Sequence, residues 1–234
     1  MYYYCNMDNL HHIKKIEELA SSEGGVFTSG QAGRQGIPLY ALSYAHRAGR
    51  IERVAHGAYR LSSSISDGLD TLRAAYKLTA PRVFTYERMG SGFDGVAARG
   101  ASAAYVLEVG DIRPRPWDLA VRQRFNSRMK DVRFRVEYLE RQDVTWESGL
   151  PVTRPERTIA DLLRDDWDVS LVCDVFIDAV KKYGATSFDM RYLQELLGTA
   201  GMEALLSASG LCDDGPYQLI ALDNGGHVAV SEAR

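Results

Sequence analysis

Cysteine, proline and long apolar runs are all scarce in this chain, and each scarcity removes a class of protein. Three cysteines (Cys5, Cys173 and Cys212) lie far apart in 234 residues and form no CxxC pair. An odd number does not build a disulfide framework, so reduced thiols and a cytoplasmic location are expected. No apolar run approaches the roughly 20 residues needed to cross a bilayer, which argues against a membrane partner. The opening Met1-Tyr2-Tyr3-Tyr4-Cys5 has neither the basic nor the apolar region of a signal peptide. With 45% hydrophobic and 25% charged residues, the chain should fold around a core, as one large domain or two small ones.

Acidic residues are locally scarce as well. The net charge of −3 argues weakly against nucleic acid, but the distribution of charge matters more than its sum. Between Ser29 and Leu61 stand Arg34, Arg47, Arg50, Arg53 and Arg60 against Glu52 alone. A second basic run comprises Arg113, Arg115, Arg122, Arg124, Arg128, Lys130, Arg133 and Arg135. The acids that balance them fall largely in the C-terminal third.

Catalytic signatures are missing too. There is no P-loop, GxGxxG, HExxH or GxSxG. Gly90-Ser91 has the Gly-Ser of nucleotidyltransferases without the acid pair that must follow it. His11 and His12 are adjacent and diverge on a helix; Asp165-Asp166 and Asp213-Asp214 are side by side and read as solvated. The expectation is a non-enzyme with no catalytic residue, metal or cofactor.

What the chain does have is punctuation. Leu10, Ile13, Ile16, Leu19 and Ala20 recur at helical spacing, predicting a helix from Asn9 to Ser22 that Gly24-Gly25 ends. Val26-Phe27 reads as a short apolar link. Thr28-Ser29-Gly30-Gln31 fits a capping box opening a second helix to about Gln35. Pro38 suits the first turn of a third helix that stops at Gly49. His56-Gly57 separates two β-like runs, Ile51–Ala55 and Ala58–Leu61, as in a hairpin. Asp67 to Thr79 reads as a connecting helix, and Ala80-Pro81 marks a domain boundary. The fold class is α+β: an N-terminal winged helix-turn-helix over residues 1–80, then a mixed α/β C-terminal domain over 81–234 with a small antiparallel sheet and several helices.

In that second domain, Leu119–Phe125 and Val132–Tyr138 alternate and should pair antiparallel, with Val132, Phe134, Val136 and Tyr138 toward the core. Arg122, Arg124, Arg133 and Arg135 would then share one basic face, either a solvated surface or a contact for DNA or an acidic partner. Gly95–Ala98 reads as a strand and Ala101–Val109 as a helix. Thr153-Arg154-Pro155-Glu156 reads as a capping box. Arg157 and Asp161, four apart, form either a surface pair or a buried one. Helices follow at Ser170–Tyr183, Phe188–Leu197 and Gly201–Ser207, then a hairpin of Gln218–Leu222 with Val228–Val230.

A helix in a major groove meets a distinct pattern of donors and acceptors at each base pair. On the third helix, Leu39 and Leu42 should face the core, leaving Tyr40, Ser43, Tyr44 and Arg47 on another face. Ser29, Gln31 and Arg50, with Arg53, His56 and Arg60 of the hairpin, complete the DNA-binding set. Packing of Tyr40 or Tyr44 on the first helix is the competing reading.

Gly24-Gly25-Val26-Phe27-Thr28 with Gln31-Ala32, followed by Gly49-Arg50-Ile51-Glu52-Arg53-Val54-Ala55-His56-Gly57-Ala58-Tyr59-Arg60-Leu61, resembles the N-terminal domain of AbiEi-type antitoxins. The segment from Gly149 to Leu163, including Thr153-Arg154-Pro155-Glu156-Arg157-Thr158-Ile159-Ala160-Asp161, is similar to the C-terminal signature of that family, as is the stretch from Ala101 to Ile112. The family pattern carries Ser-His where Arg99-Gly100 stands here. The resemblance implies a type IV toxin–antitoxin system, in which the antitoxin binds inverted repeats in its own promoter DNA and represses the operon. It also implies that the antitoxin counteracts a nucleotidyltransferase-like toxin, not necessarily by direct contact. The alternative is an orphan winged-helix transcriptional regulator or interaction module without a toxin.

Overall fold

The structure, a computed structural model, describes residues 2–210, 217–221 and 228–232. Backbone contacts divide the chain into two compact units, Met1–Val96 with Val121–Glu137, and Ala97–Ala120 with Tyr138–Arg234. The first unit thus continues past Pro81 and takes in a later stretch of chain.

That first unit begins with helix α1 (Tyr2–Ser22), strand β1 (Val26–Thr28), and helices α2 (Ser29–Arg34) and α3 (Leu39–Arg47). Strands β2 (Ile51–Ala55) and β3 (Ala58–Leu61) form the wing, and helices α4 (Asp70–Leu78) and α5 (Thr85–Gly90) follow. The apolar link expected at Val26-Phe27 is a third strand of the wing sheet, whose order is β1-β3-β2. Both pairings are antiparallel, with Phe27 opposite Tyr59 and Glu52 opposite Arg60. Three residues are too few for alternation to be seen, and β1 is buried on both sides. Phe27 joins a core with Ile16, Leu19, Ala20, Ala32, Ile37, Ala41, Leu42, Ala45, Ile51 and Phe84. Val26, on the opposite face as strand pleating requires, packs instead with Ala58 and Ala74.

A buried polar hub ties the helices to this sheet. The Glu23 carboxylate accepts from Lys77 Nζ, from Gln31 Nε2 at 2.9 Å, from Thr85 Oγ1 at 2.7 Å and from Thr85 N at 3.1 Å. Glu23 and Lys77 are both buried, and burial pushes the Lys77 ammonium below its usual range. Such a pair adds little net stability, but removing one partner strands the other charge at a cost of about 3–5 kcal/mol. Through Thr85 the hub holds α5 to the helix-turn-helix, which is why the unit does not end at residue 80. A Cβ on Gly30 would lie 2.2 Å from the Pro81 carbonyl oxygen, so α2 approaches that turn as only glycine allows.

The second unit contains β4 (Val96–Ala98), α6 (Gly100–Val106) and β5 (Trp117–Val121). Counting Val132–Val136 of the first unit as β6, the chain goes on to β7 (Val144–Glu147), β8 (Leu150–Thr153), α7 (Pro155–Arg164), α8 (Val169–Tyr183) and α9 (Met190–Ser209). It ends in the antiparallel pair β9 (Tyr217–Ala221) and β10 (Val228–Glu232). Neighbouring strands run β5-β4-β8-β7. The sheet is mixed, since β4 pairs β8 in parallel at Ala98 and Val152. The β7–β8 hairpin turns at Ser148-Gly149, both with positive φ. Neither strand was expected, because Pro151 lies inside one of them. The two C-terminal helices expected on either side of residue 198 are both present within α9, separated at Gly198, whose φ of 69° is non-helical.

The capping box expected at Thr153 does not form. Pro155 at the first helical position makes Arg154 the N-cap, one residue too late for Thr153 to cap. Thr153 Oγ1 instead meets Thr158 Oγ1 at 2.7 Å, and Glu156 Oε1 accepts from Asp189 N at 2.6 Å and Arg154 at 3.0 Å. Burial raises the Glu156 carboxyl above its usual range.

Candidate nucleic-acid interface

The sequence of α3 divides it cleanly. Ala41, Leu42 and Ala45 are its buried residues. Tyr40, Ser43 and Arg47 are exposed, and Tyr44 is half-buried. Leu39 was expected in the core but is 67% exposed. It is the first residue of the helix after Pro38, and the small residues Ala41 and Ala45 with Leu42 set the buried stripe instead. The outer face therefore carries Leu39, Tyr40, Ser43 and Arg47. Tyr40 leans on α1: its hydroxyl is 3.3 Å from His12 Nε2, and the two rings meet edge to face. Arg47 Nε donates back to Ser43 O at 3.4 Å. His46 Nδ1 lies 3.1 Å from Ile51 O, joining the end of α3 to the wing.

The residues assigned to the interface from sequence do not all lie in it. Gln31 is fully buried. It completes the capping box with Thr28, its Oε1 accepting from Thr28 N at 2.9 Å, while its Nε2 also donates to Val83 O at 2.9 Å. A side chain with both ends occupied inside the core has nothing to offer a base. Ser29 is half-buried, and its backbone N donates to Gly57 O at 2.9 Å, locking α2 to the wing turn.

Arg60 is also engaged within the protein. Its Nε donates to Glu52 Oε2 at 3.0 Å and its Nη1 to Ser64 O at 3.2 Å, with Asp70 at 3.7 Å. Arg34 forms a two-pronged pair with Glu87, at 2.6 and 2.9 Å, and lies over the Phe84 ring. That contact raises the Arg34 guanidinium pKa and lowers the Glu87 carboxyl. Three of the five arginines of this region remain. Arg47, Arg50 and Arg53 are exposed and have no carboxylate partner among the described residues. Arg53 donates only to His56 Nδ1, at 2.6 Å, across the wing tip.

The second basic group is not one sheet face. Strand β5 ends at Val121, with Leu119, Ala120 and Val121 all buried, so Arg122 and Arg124 lie beyond it. Val136 and Tyr138, expected in the core, are 65% and 71% exposed. Only Val132 of that set is fully buried, and Phe134 instead rests on Phe125 with ring centroids 4.7 Å apart. On β6, Arg133 is exposed and Arg135 half-buried, and both have interactions within the protein.

Two arginines of the second unit, Arg99 and Arg157, are interior. Arg99, in the position of the family's Ser-His pair, is buried; its Nη1 lies 2.7 Å from Asp165 and 3.7 Å from Asp118, and its Nη2 lies 3.5 Å from Asp161. Arg157 is buried as well, its Nε donating to Asp161 at 2.9 Å and its Nη1 3.4 Å from Asp143. Asp143 in turn accepts from the Tyr192 hydroxyl. The Arg157–Asp161 pair is thus an interior pair rather than a surface one. Among the described residues, no group of three or more His, Cys, Asp or Glu is arranged to hold a metal ion, and no helix is long and apolar enough to cross a membrane.

Comparison with known proteins points the same way as the geometry. No curated protein matches the sequence. The fold is similar to that in the crystal structure of the RV2827C protein from Mycobacterium tuberculosis, with a TM-score of 0.53 at 17% identity over 83% of this chain and 75% of that one. Residues 14–62, from α1 to the end of the wing, match the family described as transcriptional regulator, AbiEi antitoxin. The winged helix-turn-helix segment of this chain is therefore similar to that of the AbiEi antitoxin transcriptional regulators.

Proposed function

We propose that the protein is a DNA-binding antitoxin of a type IV toxin–antitoxin system. In this reading it represses its own operon by binding inverted repeats in promoter DNA, and it counteracts a nucleotidyltransferase-like toxin. The observation that carries the DNA-binding part is the outer face of α3. It offers Leu39, Tyr40, Ser43 and Arg47 to solvent on a packed helix, beside Arg50 and Arg53, which no carboxylate among the described residues neutralises. In a major groove, Arg47 would pair with guanine or a phosphate, Ser43 and Tyr40 with base edges or phosphates, and Leu39 with a thymine methyl. Tyr44, half-buried, borders that face. Arg53 and His56 at the wing tip reach the backbone or the minor groove. The toxin part is supported by the family matched over residues 14–62.

The test is a mobility shift with duplex DNA from upstream of the protein's own gene. Binding that prefers an inverted repeat and weakens steeply with salt is the expected result. Equal affinity for random duplex would remove the repressor assignment. Co-expression with a nucleotidyltransferase encoded beside the gene should restore growth; continued growth arrest would remove the antitoxin assignment.

A further inference from the structure

The loop between β5 and β6 carries Arg122, Arg124, Arg128 and Lys130 against a single acid, Asp131. All four basic residues are exposed, and none is paired with a carboxylate among the described residues. Backbone contacts assign the whole stretch Val121–Glu137 to the winged-helix unit. The anchor is Met129. It packs against the cluster of Val26, Ala58 and Ala74, together with Val54 and Ala55 of β2 and Leu78 of α4. Arg128 and Lys130 flank that anchor in sequence, just as Arg53 and His56 flank Val54 and Ala55. Arg122 is seated as well, lying across Gly95, where a Cβ would come within 2.3 Å of its side chain.

We infer that this loop is a second, sequence-independent DNA contact, in which Arg128 and Lys130 extend the wing's basic surface along the phosphate backbone. The inference rests on the DNA-binding reading above and deepens it. Solubility alone does not require four cations, none paired with a carboxylate among the described residues, on a loop pinned to the winged-helix unit by a half-buried methionine. Exposed arginine and lysine without acids suit a line of phosphates, and their long side chains tolerate any base sequence. An acidic protein partner is the competing occupant. It is less favoured because the loop is anchored on the wing itself.

The test compares the double variant R128A/K130A with wild type by fluorescence anisotropy. One probe is the duplex upstream of the gene and the other a random duplex of the same length, each titrated over a range of salt. Two lost phosphate contacts should lower the slope of log affinity against log salt by about 2, and weaken binding about tenfold at low salt, on both probes alike. An unchanged slope, with R47A still impaired, would overturn the loop contact and leave the DNA-binding reading standing. Failure of the wild type to bind either duplex would overturn both. Retained DNA affinity with lost toxin neutralisation would also overturn it, assigning the loop to a protein partner. M129S, which keeps every charge but loosens the anchor, should likewise weaken binding; full wild-type affinity in that variant would show that the docked position plays no part.

Discussion

Two sets of arginines, one in each unit, are used in opposite ways. In the winged-helix unit, Arg47, Arg50 and Arg53 are exposed, with no acid paired to them among the described residues. In the second unit, Arg99 and Arg157 are buried among Asp118, Asp143, Asp161 and Asp165. A guanidinium buried among carboxylates has no access to a polyanion. One held on a rigid helix without an acid does. The comparison separates residues whose loss should cost folding from those whose loss should cost binding.

The largest effect is expected where the interior web is opened. Arg99→Met leaves several buried carboxylates without their shared cation and should cost roughly 3–5 kcal/mol of stability, read from the urea midpoint. DNA affinity per folded molecule should be unchanged, and a midpoint near that of wild type would show the web to be dispensable. Arg47→Ala sharpens the contrast from the other side. It should cost about 1–3 kcal/mol of operator binding while shifting stability by less than about 0.5 kcal/mol, as for exposed residues generally. Anisotropy and thermal melting together check this.

A smaller effect concerns pH. Because burial raises the Glu156 carboxyl, the folded state holds that proton to higher pH than the unfolded chain does. Its contribution is fully present below the ordinary glutamate range and is lost as pH rises through the raised value. Glu156→Gln should therefore flatten the fall in stability across that interval, measured as urea midpoints at several pH values; an identical slope would place the titration elsewhere. The smallest effect is assigned to Arg60→Met. It loses a partly exposed pair with Glu52, about 0.5 kcal/mol, and should leave DNA affinity alone. A tenfold loss of affinity would return Arg60 to the interface.

Arg60 also shows how far the sequence can be read. The hairpin is legible because Gly57 interrupts two β-like runs. Counting outward from Ala55 opposite Ala58 sets Arg60 beside Arg53 and leaves Glu52 facing Leu61. A bulge between Arg53 and Ala55 shifts the register by one, so that Glu52 faces Arg60. One extra residue in a strand changes a free arginine into an engaged one, and nothing in the local pattern announces it. Gln31 was legible as a cap, but its burial depends on Glu23 and Val83, which local spacing does not bring together. The interior web was hidden for the same reason, since Asp118, Asp143 and Asp161 lie far apart in the chain. The outer face of α3, by contrast, follows from helical periodicity over nine residues: Tyr40, Ser43 and Arg47 are exposed as expected, whereas Leu39, where the helix begins, is exposed against expectation and Tyr44 is half-buried.

The loop anchored by Met129 has a consequence for synthesis. The winged-helix unit is not complete when Val96 leaves the ribosome; it waits for Val121–Glu137, after the first strands of the other unit have emerged. A fragment ending at Val96 would leave the cluster of Val26, Ala58 and Ala74 without Met129. The two halves are therefore interlaced along the chain, and no single cut separates them into intact pieces.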